Sequence, residues 1–210
     1  MQSALRRLVL VRHGETEGNS RERLIGSGDP SLSAEGRDHM LRARASLVGH
    51  VVDAVVTSPA RRAFQSAAVL TGGAAARVEP DFKEIHFGRW EGRSLAEIEA
   101  SDPALYQQWR EAGADFEYPG GELRESFRKR VHRGLERLGV SRATGVLVVA
   151  HKGVIREIVR VLTGTAPDRE HPRLGEAIVL TRANDGIWRT GTRSSNPDGI
   201  PTAAPVQVAR

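Results

Sequence analysis

Short apolar runs rich in valine alternate along this chain with segments of helix-forming residues. The runs cover residues 8–11, 54–57 and 145–150, and continuous runs of this length are typical of strands buried on both faces. Helices are predicted over residues 34–48, from residue 59 to about residue 70, and over residues 154–162. Such alternation predicts an α/β fold, a three-layer α/β/α sandwich with a mainly parallel sheet.

The remaining segments complete this prediction. Residues 178–181 and 188–190 flank Asn184-Asp-Gly186, a turn sequence that predicts an antiparallel hairpin at the edge of the sheet. Residues 85–144 are more polar, and helices over 94–99, 103–111 and 123–138 predict a mostly helical insertion covering the site. We therefore expect one domain over residues 1–193. A flexible tail is expected over residues 194–210, which mix Pro, Gly, Ala and Ser without periodicity.

Composition excludes several kinds of site. The chain of 210 residues has no cysteine, so it holds no disulfide, no thiolate zinc site and no cysteine nucleophile. The first apolar run stops at Arg12, which is too short for a secretory signal, and no stretch is apolar enough to span a membrane. These features predict a cytoplasmic protein without a membrane partner.

The charge of the chain favours anionic ligands. The net charge is +5, and almost all the positive charge is arginine, whose planar guanidinium binds phosphate or carboxylate with two donors. The arginines are scattered and few aromatic residues accompany them, so we expect a small phosphorylated substrate and no nucleic acid. The oligomeric state stays open, with a homodimer as one option.

Two histidines follow predicted strands directly. Arg12 and His13 come after the first run, and His151 comes after the third, while Arg62 lies downstream of the second. In open α/β sheets, ligands bind beyond the carboxyl ends of the strands. These residues therefore predict an anion site at that edge of the sheet.

Four sequence blocks carry a more specific signal. They are Leu10-Val-Arg-His-Gly-Glu-Thr-Glu-Gly-Asn19, Ser58-Pro-Ala-Arg-Arg-Ala-Phe-Gln65, Glu84-Ile-His-Phe-Gly-Arg-Trp-Glu-Gly92 and Val149-Ala-His-Lys-Gly-Val-Ile-Arg156. In this order, the blocks resemble the motifs of the histidine phosphatase superfamily, which includes the cofactor-dependent phosphoglycerate mutases. The resemblance implies a phosphoglycerate mutase-like fold.

The resemblance also implies roles for individual residues. The implied phosphate pocket consists of Arg12, Asn19, Arg62 and His151. His13 would be the nucleophile and would form a phosphohistidine, while Glu84 would act as general acid and then as general base. No metal or cofactor is implied, so the arginines and His151 would neutralise the phosphoryl oxygens. A neutral His13 would need a fixed acceptor, such as a backbone carbonyl, for its other nitrogen.

Three further residues are candidates for substrate contacts: Glu15, Glu122 and Lys152. Lys152 stands where many relatives carry glycine. Its ammonium group would either contact an anionic part of the substrate or point to solvent, and the sequence favours neither. Glu122 would orient Arg12 or Arg62, or would simply be an acid favoured at a helix N-terminus. Basic residues at 128–133 alternate with acids, which predicts a solvated helix face.

Three functions remain open at this point. A phosphomonoesterase is favoured, because the insertion is short and residues 87–92 resemble the phosphatase branch of the family. A phosphoglycerate mutase and a non-catalytic phospho-ligand-binding protein are the alternatives. The intact set Arg12, His13, Arg62, Glu84 and His151 argues against the non-catalytic protein. Pocket shape, and not the motifs, decides the natural substrate.

Overall fold

The computed structural model describes residues 4–18, 20–191 and 206–209. Its strands are β1 Arg7–Arg12, β2 Val51–Val52, β3 Ala54–Thr57, β4 Arg77–Val78, β5 Gly145–Ala150, β6 Ala177–Arg182, β7 Trp188–Thr190 and β8 Gln207–Val208. Its α-helices are α1 Ala34–Ser46, α2 Arg61–Thr71, α3 Leu95–Ser101, α4 Pro103–Ala112, α5 Arg124–Gly139 and α6 Lys152–Thr163. No α-helix in these ranges is long and apolar enough to cross a membrane.

Six strands form one sheet in the order β4-β3-β5-β1-β6-β7. β4, β3, β5 and β1 are parallel, whereas at one edge β6 pairs antiparallel with β1 and β7 pairs antiparallel with β6. The predicted mainly parallel sheet and its antiparallel hairpin are therefore confirmed. β1 and β5 pair from Arg7 opposite Gly145 to Arg12 opposite Ala150, so both strands end at the same level. This register brings the residues that follow them together.

Alternate residues of β1 face two different cores. Val9 and Val11 pack in the core that contains Met40 of α1 and Leu70 of α2. Leu8 and Leu10 belong to the core on the opposite side, together with residues of α5 and α6. Helices therefore cover both faces of the sheet, and the three-layer sandwich is confirmed.

Several helix ends differ from the predicted ones. α2 begins at Arg61 and not at Pro59, because Ala60 is extended and acts as the N-cap. α6 begins at Lys152, two residues before the apolar stripe from which it was predicted. In the insertion, α3 starts after Ser94, whose side chain forms a capping box with Glu97. The apolar pattern locates a helix, but the caps decide its ends.

Part of the predicted C-terminal tail is structured. Residues 194–205 and 210 lie outside the described residues, but residues 206–209 return to the domain, where β8 pairs with β2 in parallel. Val206 is 4 % exposed, and its N–H donates to the Leu70 carbonyl at 3.1 Å. The Ala209 N–H donates to the Val52 carbonyl at 2.8 Å. Residues 206–209 therefore differ from the expected flexible tail, because they bury Val206 and pair with β2.

Candidate active site

His13 and His151 face each other at the carboxyl ends of β1 and β5. Their ring centroids are 5.2 Å apart at an interplanar angle of 64°. Both side chains are almost fully buried. The backbone N–H of His13 donates to the carbonyl of Ala150 at 3.1 Å. The parallel pairing of the two strands thus brings together two histidines that are far apart in sequence.

The surroundings of His13 fix its charge and its tautomer. Nδ1 lies 2.7 Å from the carbonyl oxygen of Gly14, and a carbonyl can only accept, so Nδ1 carries the proton. Nε2 is therefore left with its lone pair. Burial, followed by the charges of Arg62 and Arg12, holds the pKa of His13 well below its ordinary value. His13 is a neutral imidazole with a free nucleophilic nitrogen.

His151 is also held neutral and oriented. Arg62 Nη2 donates to His151 Nδ1 at 3.3 Å, so Nε2–H donates to Ser58 Oγ at 2.7 Å. Burial, followed by the charge of Arg62, lowers the pKa of His151 well below its ordinary value. Ser58 directly follows β3. It lies in one of the four sequence blocks, but the sequence alone predicts no role for it.

The two arginines bring positive charge that carboxylates do not neutralise. Arg62 is fully buried, and its guanidinium donates to the backbone carbonyls of Ile25, Gly26 and Gly28 at 3.3, 3.1 and 2.6 Å. Half-buried Arg12 donates to the Pro172 carbonyl at 3.1 Å, and burial lowers its pKa to about 10. Over the described ranges, neither guanidinium has a carboxylate at ion-pair distance. Buried charge of this kind is costly unless a ligand compensates it.

Two backbone donors hold the Glu84 carboxylate near the start of α6. Its carboxylate accepts from the Ile85 N–H at 3.0 Å and from the Gly153 N–H at 3.0 Å. A Cβ at residue 153 would lie 2.5 Å from Glu84 Oε1. Glycine at this position therefore lets the first turn of α6 approach the carboxylate.

Glu122 pairs with Arg130, a partner that neither of the two interpretations of Glu122 included. Its two carboxylate oxygens accept from Arg130 Nε and Nη2, both at 2.7 Å. Arg130 also donates to the carbonyls of residues 81, 83 and 84, at 2.8, 2.6 and 3.1 Å. Its side chain is only 13 % exposed, so the predicted solvated face is wrong at this residue. Arg130 instead fixes the segment that leads to Glu84.

The other candidate residues lie in different surroundings. The Glu15 carboxylate accepts from the Thr16 N–H at 3.0 Å and from Arg21 Nε at 3.1 Å, so it organises the loop after β1. Asn19 lies outside the described residues. Lys152 is half-buried, and burial, followed by the charges of Arg12 and Arg156, lowers its pKa to about 8.

A cavity of about 660 Å³ opens onto these groups. Its lining includes Arg12, His13, Arg62, Glu84 and Lys152. In the part of the chain that the structure describes, no group of three or more His, Asp or Glu side chains is arranged to hold a metal ion. The arrangement suits nucleophilic attack on an anion: a neutral imidazole, two guanidinium groups and a carboxylate share one cavity.

Known proteins resemble the chain in sequence. A bifunctional protein of Mycobacterium tuberculosis is 36 % identical over 160 residues, which are 74 % of this chain and 43 % of that protein. The chain thus spans less than half the length of this relative. A glucosyl-3-phosphoglycerate phosphatase of Mycolicibacterium vanbaalenii is 32 % identical over 209 residues, covering 95 % of this chain and 89 % of that protein.

Structure and family comparisons agree with these sequence matches. The crystal structure of the α-ribazole phosphatase from Shigella flexneri superimposes with a TM-score of 0.76 and 26 % identity, covering 93 % of this chain and 100 % of that one. The model of the histidine phosphatase superfamily (branch 1) matches residues 8–186. The chain therefore belongs to the histidine phosphatase superfamily.

Proposed function

We propose that this member of the family is a metal-independent phosphomonoesterase that acts through a phosphohistidine on His13. One observation carries the proposal: a neutral imidazole with a free nitrogen lies beside two guanidinium groups that have no carboxylate partner among the described residues. A phosphoryl dianion supplies the negative charge that this site lacks, and its charge is stabilised further in the transition state.

The first chemical step forms the phosphoenzyme. The lone pair of His13 Nε2 attacks phosphorus while the bond to the leaving oxygen breaks. Nδ1–H remains donated to the Gly14 carbonyl, which supports the positive charge that develops on the ring. Glu84 must be protonated when the substrate binds, and its carboxyl gives that proton to the leaving alkoxide.

The second step returns the enzyme to its starting state. Water attacks the phosphorus of phosphohistidine, Glu84 takes the proton of that water, and the P–N bond breaks to give phosphate and neutral His13. Arg12 and Arg62 hold the phosphoryl oxygens throughout, with Asn19 as an additional contact. His151 orients Arg62 through the 3.3 Å contact with Arg62 Nη2. To contact the phosphoryl group itself, its Nδ1 must take up a proton and exchange this partner for a phosphoryl oxygen.

The proposed substrate is a small phosphorylated metabolite in the cytoplasm. The names of two relatives, a glucosyl-3-phosphoglycerate phosphatase and an α-ribazole phosphatase, support the substrate class. The absence of cysteine is compatible with a reducing compartment. Fractionation of cells that produce the full chain tests the location: recovery with periplasmic markers would contradict it.

Phosphate release from p-nitrophenyl phosphate and a metabolite panel, in excess EDTA, tests the function. We expect turnover that survives EDTA and is abolished by His13→Ala, because no other group supplies the nucleophile. His50→Ala is the matched control, since His50 lies away from the cavity lining, and it should keep full turnover. Normal turnover by His13→Ala would refute the mechanism. Interconversion of phosphoglycerates with a bisphosphate primer, without phosphate release, would instead indicate a mutase.

A further inference from the structure

A second cavity adjoins the first. Its volume is about 410 Å³, and it shares Glu84, Phe87, Trp109 and Lys152 with the catalytic cavity. Because Glu84 would protonate the leaving oxygen, a substrate bound with its phosphoryl group at His13 extends its leaving group past Glu84. The second cavity is therefore in reach of the leaving group.

Positive charge dominates the lining of this second cavity. Its charged residues are Arg124, Arg128, Lys152, Arg156, Arg160 and Arg169 against Glu84 and Glu157. Two of the arginines are neutralised within the protein: Arg160 pairs with Glu157 at 2.6 Å, and Arg128 pairs with Asp115 at 2.5 Å. These two groups have little charge left for a ligand.

Lys152 and Arg169 differ from these paired arginines. Both line the two cavities, and over the described ranges neither has a carboxylate at ion-pair distance. The Arg169 guanidinium lies over the Trp109 ring, 4.1 Å from its centroid, which orients it without neutralising it. The Lys152 side chain makes no hydrogen bond with the described residues and stands at the N-terminus of α6.

A second positive charge lies next to Lys152 in the wall of the cavity. Arg156, one turn further along α6, donates to the Pro167 carbonyl at 2.5 Å and also to that of Asp168. It therefore adds fixed positive charge to the same wall. Burial and the neighbouring cations lower the pKa of Lys152 to about 8, and a bound anion would favour the charged ammonium again. Glu170, also in the catalytic cavity, pairs with Arg173 at 3.7 Å.

We propose that Lys152 and Arg169 form an anion subsite for the leaving group, so that the enzyme selects phosphomonoesters whose leaving group carries a second anionic group, such as a carboxylate. The apolar surfaces of Phe87 and Trp109 border the carbon skeleton between the two anions. This inference rests on the proposed phosphatase function. Failure of the subsite and failure of the phosphatase function must therefore give different experimental results.

Two substrates with the same carbon skeleton test the subsite. 3-Phosphoglycerate and glycerol 3-phosphate differ in that a carboxylate replaces a hydroxymethyl group. We expect kcat/KM to be at least about tenfold higher for 3-phosphoglycerate, as expected for a charge-assisted contact. Lys152→Met and Arg169→Gln should each lower this ratio several-fold. Arg128→Met is the matched control: Arg128 lines the same cavity but is paired with Asp115, which is not part of the lining, so the ratio should not change.

A binding measurement separates the subsite from the chemistry. In His13→Ala, calorimetric titration should give a lower Kd for 3-phosphoglycerate than for glycerol 3-phosphate, and Lys152→Met in that background should remove most of the difference. Turnover of p-nitrophenyl phosphate by the wild-type protein reports separately on the phosphatase function. Equal kcat/KM and equal Kd for the two substrates, or a preference that both Lys152→Met and Arg169→Gln leave unchanged, would overturn the proposal.

Discussion

The chemistry at the residue scale depends on which group carries a proton. His13 could not act as a nucleophile if it were an imidazolium, and burial, followed by nearby positive charge, keeps its pKa well below the ordinary value. The same guanidinium groups that would bind the phosphoryl oxygens therefore also help to keep the proposed nucleophile neutral. The Gly14 carbonyl then determines which nitrogen remains free.

Glu84→Gln tests the acid–base role. The amide keeps the size of the side chain and can still accept one of the two backbone N–H groups, but it cannot exchange a proton. We expect kcat for an alkyl phosphate to fall by about 10²–10⁴, the usual range for loss of a general acid or base. The inhibition constant of inorganic phosphate should change by less than the rate does. A kcat within about threefold of wild type would exclude Glu84 as the proton donor.

At the scale of elements, strands were easier to predict than the contacts between distant segments. Residues 54–57 and 145–150 form strands with the predicted ends, because continuous apolar runs between polar segments leave little choice of boundary. Arg12, His13 and His151 could be expected near one another because each follows or ends a strand of a parallel sheet. The role of Arg130 could not be predicted from the sequence, because Arg130 donates to backbone carbonyls that lie about fifty residues earlier in the chain.

Arg130 acts as a positioning residue for Glu84 in this account. Arg130→Lys would remove the two-pronged contact with Glu122 and most of the carbonyl contacts, so the segment carrying Glu84 would loosen. We expect kcat to fall by about tenfold, since small displacements of a catalytic group are costly. Arg133 is also on α5, and its exposed side chain pairs with Asp81, so Arg133→Lys should have little effect.

A double-mutant cycle separates positioning from a general loss of structure. If Arg130 acts through Glu84, Arg130→Lys should cost much less in the Glu84→Gln background, because the group that it positions is already inactive. Fully additive losses in kcat would mean that Arg130 supports the fold and not the placement of Glu84.

At the scale of the whole molecule, burial of two neutral histidines couples stability to pH. The folded protein leaves His13 and His151 unprotonated because their pKa values lie well below the ordinary value near 6.5, whereas the unfolded chain protonates them. Protons therefore favour the unfolded state as the pH falls below 6.5. Burial lowers the pKa of His39 and His50 as well, which acts in the same direction.

Urea unfolding at pH 7.0 and pH 5.5 measures this coupling. The two site histidines should together lower the free energy of unfolding by about 2–3 kcal/mol between these values. A double variant, His13→Asn with His151→Asn, should lose most of this dependence. Equal or greater stability of the wild-type protein at pH 5.5 would contradict the neutral state assigned to both rings.

The C-terminal strand shows where whole-molecule information was needed. β8 is two residues long, and its partner β2 is equally short, so neither carries a periodic pattern that could be recognised. In the folded domain, Val206 is buried beside Leu70 of α2. This contact, which the sequence does not reveal, places residues 206–209 where they can pair with β2.

Direct detection of the phosphoenzyme tests whether His13 is the nucleophile. An aryl phosphate needs no acid to expel its leaving group, so Glu84→Gln should still be phosphorylated but should be hydrolysed slowly. We would mix this variant rapidly with p-nitrophenyl phosphate, quench it in alkaline denaturant and map the peptides by mass spectrometry. We expect one phosphoryl group on the peptide that contains His13, at the histidine itself. Turnover with His13 unmodified, or with the phosphoryl group on another side chain, would contradict it.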